Sequence, residues 1–446
     1  MHLKRYSLLF VLILALIPLY SQFNTFSPYT RFALGDLSQP GFAQNQAMGS
    51  TGLAIHDGNR INTLNPAAFA AFDSMSVYFD FGANLFFNQY LTEGDEITNT
   101  SNTWWNMNLH HVAFASSMGK HMGISAGILP YSSIGYSIKQ EYNDYNSGDA
   151  MDTYYSGDGG IMNFYVGTAF KAWDRLSVGV TMNYLMGKLT RNRSINFPAN
   201  SSYSSASSEE RFDINKPVFS FGVQYKELIK EDFFFSIGAT YDLATNVNTE
   251  LQYDVTNSIY PYQEVDLDSL TTITPNYVLG ADTVMSSFIL PQKIGIGIAL
   301  GITDKLIVTA DYTRQDWTGS LSGNSYRTSS ANSINFGTEY TPDNEAIRGY
   351  RNLISYRMGG FYSNSYLSVL KGGYLPDDPD AYYKLNNYGI TFGVGLPVKS
   401  IRSSINLALT LGTKGTTEYN LIKENYGIFT FNVTLHDLWF RKRRFD

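Results

Sequence analysis

The chain has 446 residues, of which 43% are hydrophobic, 15% aromatic and only 16% charged, with 33 Tyr, 29 Phe and no Cys. Soluble proteins average about 25% charged residues, yet after residue 22 there is no uncharged apolar run of ~18 residues able to cross a bilayer as a helix, and so aromatic a chain is not disordered. The lack of Cys removes disulfides, thiolate metal sites and cysteine nucleophiles, and a net charge of -7 argues against a nucleic-acid partner.

The first 22 residues carry Lys4 and Arg5, an apolar stretch from Leu8 to Leu19 that contains Pro18, and the small or polar Ser21 and Gln22. This is the layout of a secretory signal peptide, expected over 1–22 with cleavage near Ser21 to Phe23. Removing Lys4 and Arg5 takes the charge from -7 to -9. With no Cys after the cleavage region, a lipoprotein anchor is not expected.

Residues 23–73 do not alternate. They contain Ala47, Gly49 and Gly52, which permit a kinked, close-packed backbone, and the turn-forming sequence Asn65-Pro66-Ala67 followed by Ala68 and Phe69. From residue 74 alternation takes over. Val77, Phe79, Phe81, Ala83, Leu85 and Phe87 interleave with polar or small residues, and the pattern returns at Leu176–Met186, Phe233–Leu243 and Leu306–Tyr312, where Thr309 and Asp311 take the opposite face. Such strands exceed the usual five or six residues.

The spacing predicts 14 strands, near 75–90, 103–118, 122–140, 160–172, 175–191, 212–226, 232–248, 285–301, 304–317, 328–341, 351–363, 386–398, 401–413 and 424–440. Turns after the second, fourth, eighth and twelfth are minimal, around Lys120, Trp173–Asp174, Thr303–Asp304 and Lys399–Ser400. Long polar stretches such as 141–159, 192–211 and 249–282 follow odd strands. An even strand number with short turns at one end describes an outer-membrane barrel, which must close because hydrocarbon cannot satisfy edge groups. A two-sheet sandwich would use shorter strands with turns every 8 to 12 residues. The expected fold is therefore all-β: a transmembrane antiparallel barrel of about 14 strands over 74–440, ending in the aromatic run Leu438-Trp439-Phe440, with a basic tail at 441–446 on the periplasmic side. Trp104, Trp105 and the many Tyr residues suit membrane interfaces.

An Asn-Pro-Ala turn directly before the first strand, preceded by a Gly-containing segment of small residues, resembles the FadL family of hydrophobic-substrate transporters. The resemblance covers most of the mature chain, through Gly123–Tyr131, Leu290-Pro291 and Phe336–Pro342 in that order, and the ending Trp439 to Arg443 is similar to Bacteroidetes-type members. It implies that 23–73 form a hatch inside the barrel, with Gly49, Gly52, Asn65, Pro66 and Ala67 as gating residues. A lumen of about 14 strands is wide enough to leak, which gives such a hatch its purpose. It also implies that Pro130, which removes a ladder hydrogen bond, opens the wall sideways at Leu129, Pro130 and Tyr131. The other reading of Pro130 is that the strand leaves the membrane there.

The function implied is passive uptake of small hydrophobic compounds, fatty-acid-like molecules included, across a Gram-negative outer membrane by a monomer without enzyme activity, cofactor or metal. Outer-membrane lipid and the barrel assembly machinery would be its other partners. An alternative on the same fold is a FadL-related scaffold or shuttle that serves type IX-like secretion of exported proteins.

Catalytic motifs do not hold. Gly123-Ile124-Ser125-Ala126-Gly127 matches a nucleophile elbow by letter, but that motif needs a strand-turn-helix corner. With a hairpin centred near Lys120, Ser125 faces residue 115 and His110 lies roughly 17 Å along the sheet. Gly295-Ile296-Gly297 reads as the inward face of a strand, and Asp377, Asp378 and Asp380 read as a solvated acidic loop before a cation site.

Overall fold

The computed structural model describes residues 27–92, 104–143, 150–197, 205–230, 232–258, 276–323, 325–378, 380–398 and 403–439. The expected signal peptide, the Lys399–Ser400 turn, Phe440 and the basic tail lie outside the described residues.

Fourteen antiparallel strands form one closed barrel. They are β1 (Ser76–Thr92), β2 (Trp104–Ser117), β3 (Met122–Asn143), β4 (Ala150–Trp173), β5 (Leu176–Asn196) and β6 (Ser205–Leu228), then β7 (Phe233–Asp242 and Thr245–Ser258) and β8 (Asn276–Leu290 and Lys293–Ile302). The remainder are β9 (Leu306–Asp316), β10 (Ser330–Tyr340), β11 (Ser355–Leu370), β12 (Tyr382–Val398), β13 (Ser403–Lys414) and β14 (Ile422–Leu438). β14 closes onto β1 in continuous register from Ile422 opposite Thr92 to Leu438 opposite Ser76. Closure leaves no edge there to be satisfied by lipid.

The alternation has the two faces expected of it. Phe79, Phe87, Met182, Met186, Ile237, Ile296 and Val308 point outward and are exposed, while Asp80, Thr181, Ser236, Thr309 and Asp311 point inward and are buried. Exposed Trp105 sits at the long-loop rim and exposed Trp173 and Trp439 at the short-turn rim, where an indole can keep its ring in lipid and its N–H in water.

Residues 27–72 run along the inner face of the barrel, where inward glycines let their backbone lie directly on the wall. A Cβ on Gly123 would come within 1.8 Å of the Phe69 carbonyl oxygen, and one on Gly238 within 1.8 Å of the Leu53 carbonyl oxygen. Cβ atoms on Gly295 and Gly297 would also meet Leu53 side-chain carbons, at 2.9 and 2.8 Å. The segment contains a 3-10 turn at Pro28–Arg31, a short helix at Ala43–Gln46 and a 3-10 helix at Pro66–Ala71.

Two features differ from the sequence expectation. β4, β6 and β8 start at 150, 205 and 276 rather than 160, 212 and 285, and β5, β7 and β11 run on to 196, 258 and 370 rather than 191, 248 and 363. Above the lipid level the outward residues turn polar (Asp158 on β4, Lys188 on β5, Asp213 on β6, all exposed), so hydropathy no longer alternates although the ladder continues. β4 and β6 have 24 residues each, whereas about 9–11 suffice to cross a bilayer, so this side of the barrel stands well clear of the membrane. The second difference lies at the short-turn rim, where β10 and β11 are joined by the longer segment 341–354, which carries a 3-10 turn at Tyr350–Leu353. Inside the long-loop half, an apolar cluster that includes Phe32, Leu34, Ile134, Leu189, Trp317 and Leu367 fills the lumen.

Substituting Gly238 by Leu should push residues 53–54 off the wall at an overpacking cost of about 1–3 kcal/mol. Limited proteolysis should then cut the inner segment while the barrel keeps its heat-modifiable migration on gels. Gly427→Ala, with no atom nearer than 3.6 Å to the new Cβ, should leave the digestion pattern unchanged.

Candidate functional site: the lumen and a gap in its wall

β2 and β3 are paired only from Ser117–Gly123 to Val112–Ile128. Beyond that point β2 continues along β1 up to Trp104 opposite Asn88, and β3 continues along β4 up to Asn143 opposite Ala150. The two strands therefore part at Leu129-Pro130. Pro130 has no N–H to offer the ladder, and the β3–β4 register shifts between Pro130 and Ser132, which turns the strand away from its neighbour.

The inner segment occupies the freed edge of β3. Asp36 and Leu37 pair with Ser133 and Ser132, the Ser38 N–H donates to the Tyr131 carbonyl at 2.9 Å, and the Ser27 N–H donates to the Gly135 carbonyl at 3.0 Å. Behind the gap lies a cavity of about 590 Å³, lined in part by Leu37, Leu53, Leu64, Leu129, Pro130 and Tyr131. That volume falls in the ordinary range for small-molecule sites.

Of the residues singled out in the sequence, Leu129, Pro130 and Tyr131 lie together at this gap. Gly49, Gly52, Asn65, Pro66 and Ala67 all lie in the inner segment against the wall. Gly49 has φ +67 and a Cβ there would meet the Gly360 and Phe336 carbonyl oxygens at 2.6 Å. Its N–H donates to Thr391 Oγ1 at 2.8 Å. Gly52 and Leu53 donate their N–H groups to Asp311 Oδ2 at 2.7 and 3.0 Å. The Asn65 side chain accepts from the Ala67 N–H at 3.0 Å, capping the helix that Pro66 opens, and its Nδ2 donates to the Leu53 carbonyl at 2.7 Å. Ala68 is buried in that helix and needs no left-handed backbone.

Sequence reasoning missed the ionic and amide contacts that hold this segment near the short-turn rim. Glu339 receives Arg60 through two bonds, at 2.7 and 3.0 Å, and Arg357 Nε at 2.5 Å. Arg60 Nε also donates to Asp57 at 2.6 Å, and Arg357 Nη1 donates to Asn406 at 2.8 Å. Burial alone would lower the Arg60 guanidinium pKa, but Glu339 and Asp57 outweigh it and raise the pKa. A second group centres on Asp80, which bonds His111 at 2.6 Å, Thr434 at 2.7 Å and Asn432. From there contacts run through His110 to Gln46 at 3.1 Å, and Phe42 stacks on His111. A polar residue every second position on an apolar strand was the available signal; which of them would meet across the lumen was not.

Ser125 is opposite Ala115, as the hairpin arithmetic required, and its hydroxyl is engaged by the Phe114 carbonyl at 3.1 Å and Tyr165 at 3.0 Å. Asp377, Asp378 and Asp380 lie in the loop before β12, and among the described residues no group of three or more His, Asp or Glu could hold a metal.

The BamG family model matches residues 2–446. The chain belongs to the BamG family. None of the curated proteins compared matches it by sequence. Among solved structures it is similar to a Pseudomonas aeruginosa FadL homologue, at 12% identity and TM-score 0.58 over 90% of this chain and 99% of that one. It is also similar to the Ralstonia pickettii toluene transporter TbuX, at 15% identity and TM-score 0.55 over 89% and 98%, and to the Pseudomonas putida toluene transporter TodX, at 15% and 0.55 over 91% and 100%. These likenesses show that this member of the BamG family has the FadL-like outer-membrane barrel fold.

Glu339→Gln should leave two buried guanidinium groups short of their counter-charge and destabilise the protein by about 3–5 kcal/mol, read as a lower unfolding midpoint in detergent. His56, half-buried beside Gln224, has its pKa lowered from 6.5 to about 4, chiefly by burial. Its neutral form then contributes stability that is complete above about pH 6.5 and declines as pH falls towards 4. Protease access to residues 53–60 should rise over that window, and less so in His56→Gln.

Proposed function

We propose that the protein is a monomeric channel of the Gram-negative outer membrane that passes small apolar compounds, fatty-acid-like molecules among them, from its lumen sideways into the bilayer between β2 and β3. The parting of the two strands at Pro130, with a cavity directly behind it, carries this reading. Apolar cargo gains roughly 0.8 kcal/mol per buried methylene, so a sideways route spares it the aqueous periplasm without any covalent chemistry. Residues 23–73 act as the hatch, with Gly49, Gly52, Asn65, Pro66 and Ala67 allowing it to shift, and Leu129, Pro130 and Tyr131 form the lateral opening. Because the apolar cluster fills the long-loop half, entry requires Phe32 and Leu34 to move.

A second reading draws on the family name and on the tall wall of β4 to β6. A link to the barrel assembly machinery, or a scaffold role for exported proteins, would use the polar outward face at Asp158, Lys188 and Asp213. A chain without Cys allows a clean test of both. Leu37→Cys with Ser132→Cys should form a disulfide between register partners and abolish uptake of a long-chain apolar probe into liposomes until reductant is added. Unchanged uptake when oxidised would remove the lateral route. Single cysteines at 158, 188 and 213 should cross-link to no outer-membrane protein under the channel reading, and a reproducible protein adduct at all three would favour the scaffold.

A further inference from the structure

Residues 27–38 form a strap that is attached on two sides. One side holds the edge of β3 that β2 leaves free: besides the pairing of Asp36 and Leu37, the Ser27 N–H donates to the Gly135 carbonyl and the Gly135 N–H donates to Thr30 Oγ1 at 3.2 Å. The other side is fixed to the facing ends of β13 and β14. Lys414 Nζ donates to Asp36 Oδ1, and the Ser27 hydroxyl donates to Glu424 Oε1 at 2.6 Å. The Tyr29 hydroxyl donates to the Ile422 carbonyl at 2.6 Å and accepts the Ile422 N–H at 3.1 Å. Asp36 and Ser27 thus serve both sides, each bonded through its backbone to β3 and through its side chain to β13 or β14. Lys414 and Glu424 are buried, so drawing Asp36 away leaves a buried cation short of its partner. Between the two sides, the Tyr366 hydroxyl donates to the Gly35 carbonyl at 2.6 Å and Arg191 donates to the Ala33 carbonyl.

The loop 415–421 joins β13 to β14 at the long-loop rim. Its Gly415 has φ +80, and a Cβ there would stand 2.6 Å from the Ile422 carbonyl oxygen and 3.0 Å from the Tyr29 hydroxyl oxygen. The missing Cβ is what admits Tyr29. Tyr419 and Asn420 hold left-handed backbone in succession, at φ 60 and 57, a strain that lasts only while the surroundings enforce it. We propose that this loop governs the gap between β2 and β3: when it shifts, Tyr29, Ser27 and Asp36 shift with it, and Asp36-Leu37 leaves the β3 edge. The strap is then a lever from the long-loop rim to the wall. The deeper part of the inner segment, held by Asp311, Glu339 and Thr391, stays in place. The proposal rests on the lateral-release reading for its effect on cargo and adds to it what regulates the gap.

Hydrogen exchange, followed by mass spectrometry on the full protein in lipid nanodiscs, reads the lever directly. Gly415→Ala alters the loop and presses on Tyr29, Tyr29→Phe removes the hydroxyl, and Lys414→Met removes the counter-charge of Asp36. Each should speed backbone exchange over 36–38 and 131–135 by about tenfold, a change in local opening, and leave 45–53 and 65–70 as they were. Gly373→Ala imposes the same left-handed strain in a neighbouring loop, at φ +84 with nothing within 4 Å of the new Cβ. It should change neither region. Acceleration confined to 27–30 and 414–424 overturns the lever, because the contacts are then only local. Equal acceleration throughout 27–72 overturns it too, because the strap then has no motion of its own. If Lys414→Met loses its heat-modifiable fold, the other two variants decide. Uptake of a long-chain apolar probe into liposomes, measured on the same variants, separates the two readings. Faster uptake together with faster exchange supports both, whereas unchanged uptake with faster exchange removes the lateral route and leaves the lever standing.

Discussion

Everything in this molecule follows from one constraint: a sheet in hydrocarbon has to pair every backbone N–H and C=O within itself. Fourteen strands meet it by closing β14 onto β1 without a break in register. Closure at that strand number leaves a lumen too wide for wall side chains to fill, and the chain solves this by folding its own residues 27–72 into it. The inward glycines at 123, 238 and 359 are the visible consequence, because only a missing Cβ lets a second backbone lie flush on the wall.

The filling is held by directional contacts at both ends, with an apolar cluster added at one. Near the short-turn rim it is held by buried charge and amide contacts, Arg60–Glu339–Arg357 and the Asp80–His111–Asn432 group. Towards the long-loop rim apolar packing of Phe32, Leu34 and Trp317 is joined by directional contacts of the same segment: Asp36 with Lys414, Ser27 with Glu424 and the Gly35 carbonyl with the Tyr366 hydroxyl. Directional contacts of the first kind specify one position and are expensive to break singly, whereas apolar packing is non-directional and tolerates rearrangement. The parting of β2 from β3 at Pro130 departs from the closing rule and is answered by the inner segment, whose Asp36-Leu37 strand supplies the missing partner. The gap and the segment are therefore one structural unit, and any motion of one exposes an unpaired edge on the other.

Much of this was readable from residues alone. Period-two alternation located all fourteen strands because lipid on one face and a packed lumen on the other impose opposite polarity on successive side chains. The hairpin at Lys120 placed Ser125 opposite residue 115, as found. The upper parts of β4, β6 and β8 were not readable, since above the membrane both faces are polar and the ladder continues on backbone bonds that leave no hydropathy trace.

The sequence by itself determined the barrel, its strand number, which face of each strand meets lipid, and the position of the proline that breaks the third strand, because each depends on local period or on one residue's missing donor. Only the tertiary structure decided that Arg60 meets Glu339, that Asp311 holds Gly52 and Leu53 with one oxygen to spare, and that Asp36-Leu37 fills the edge Pro130 frees. Those contacts join residues hundreds of positions apart across a lumen. Local pattern can say that a polar residue points inward, but only the closed barrel says what it finds there.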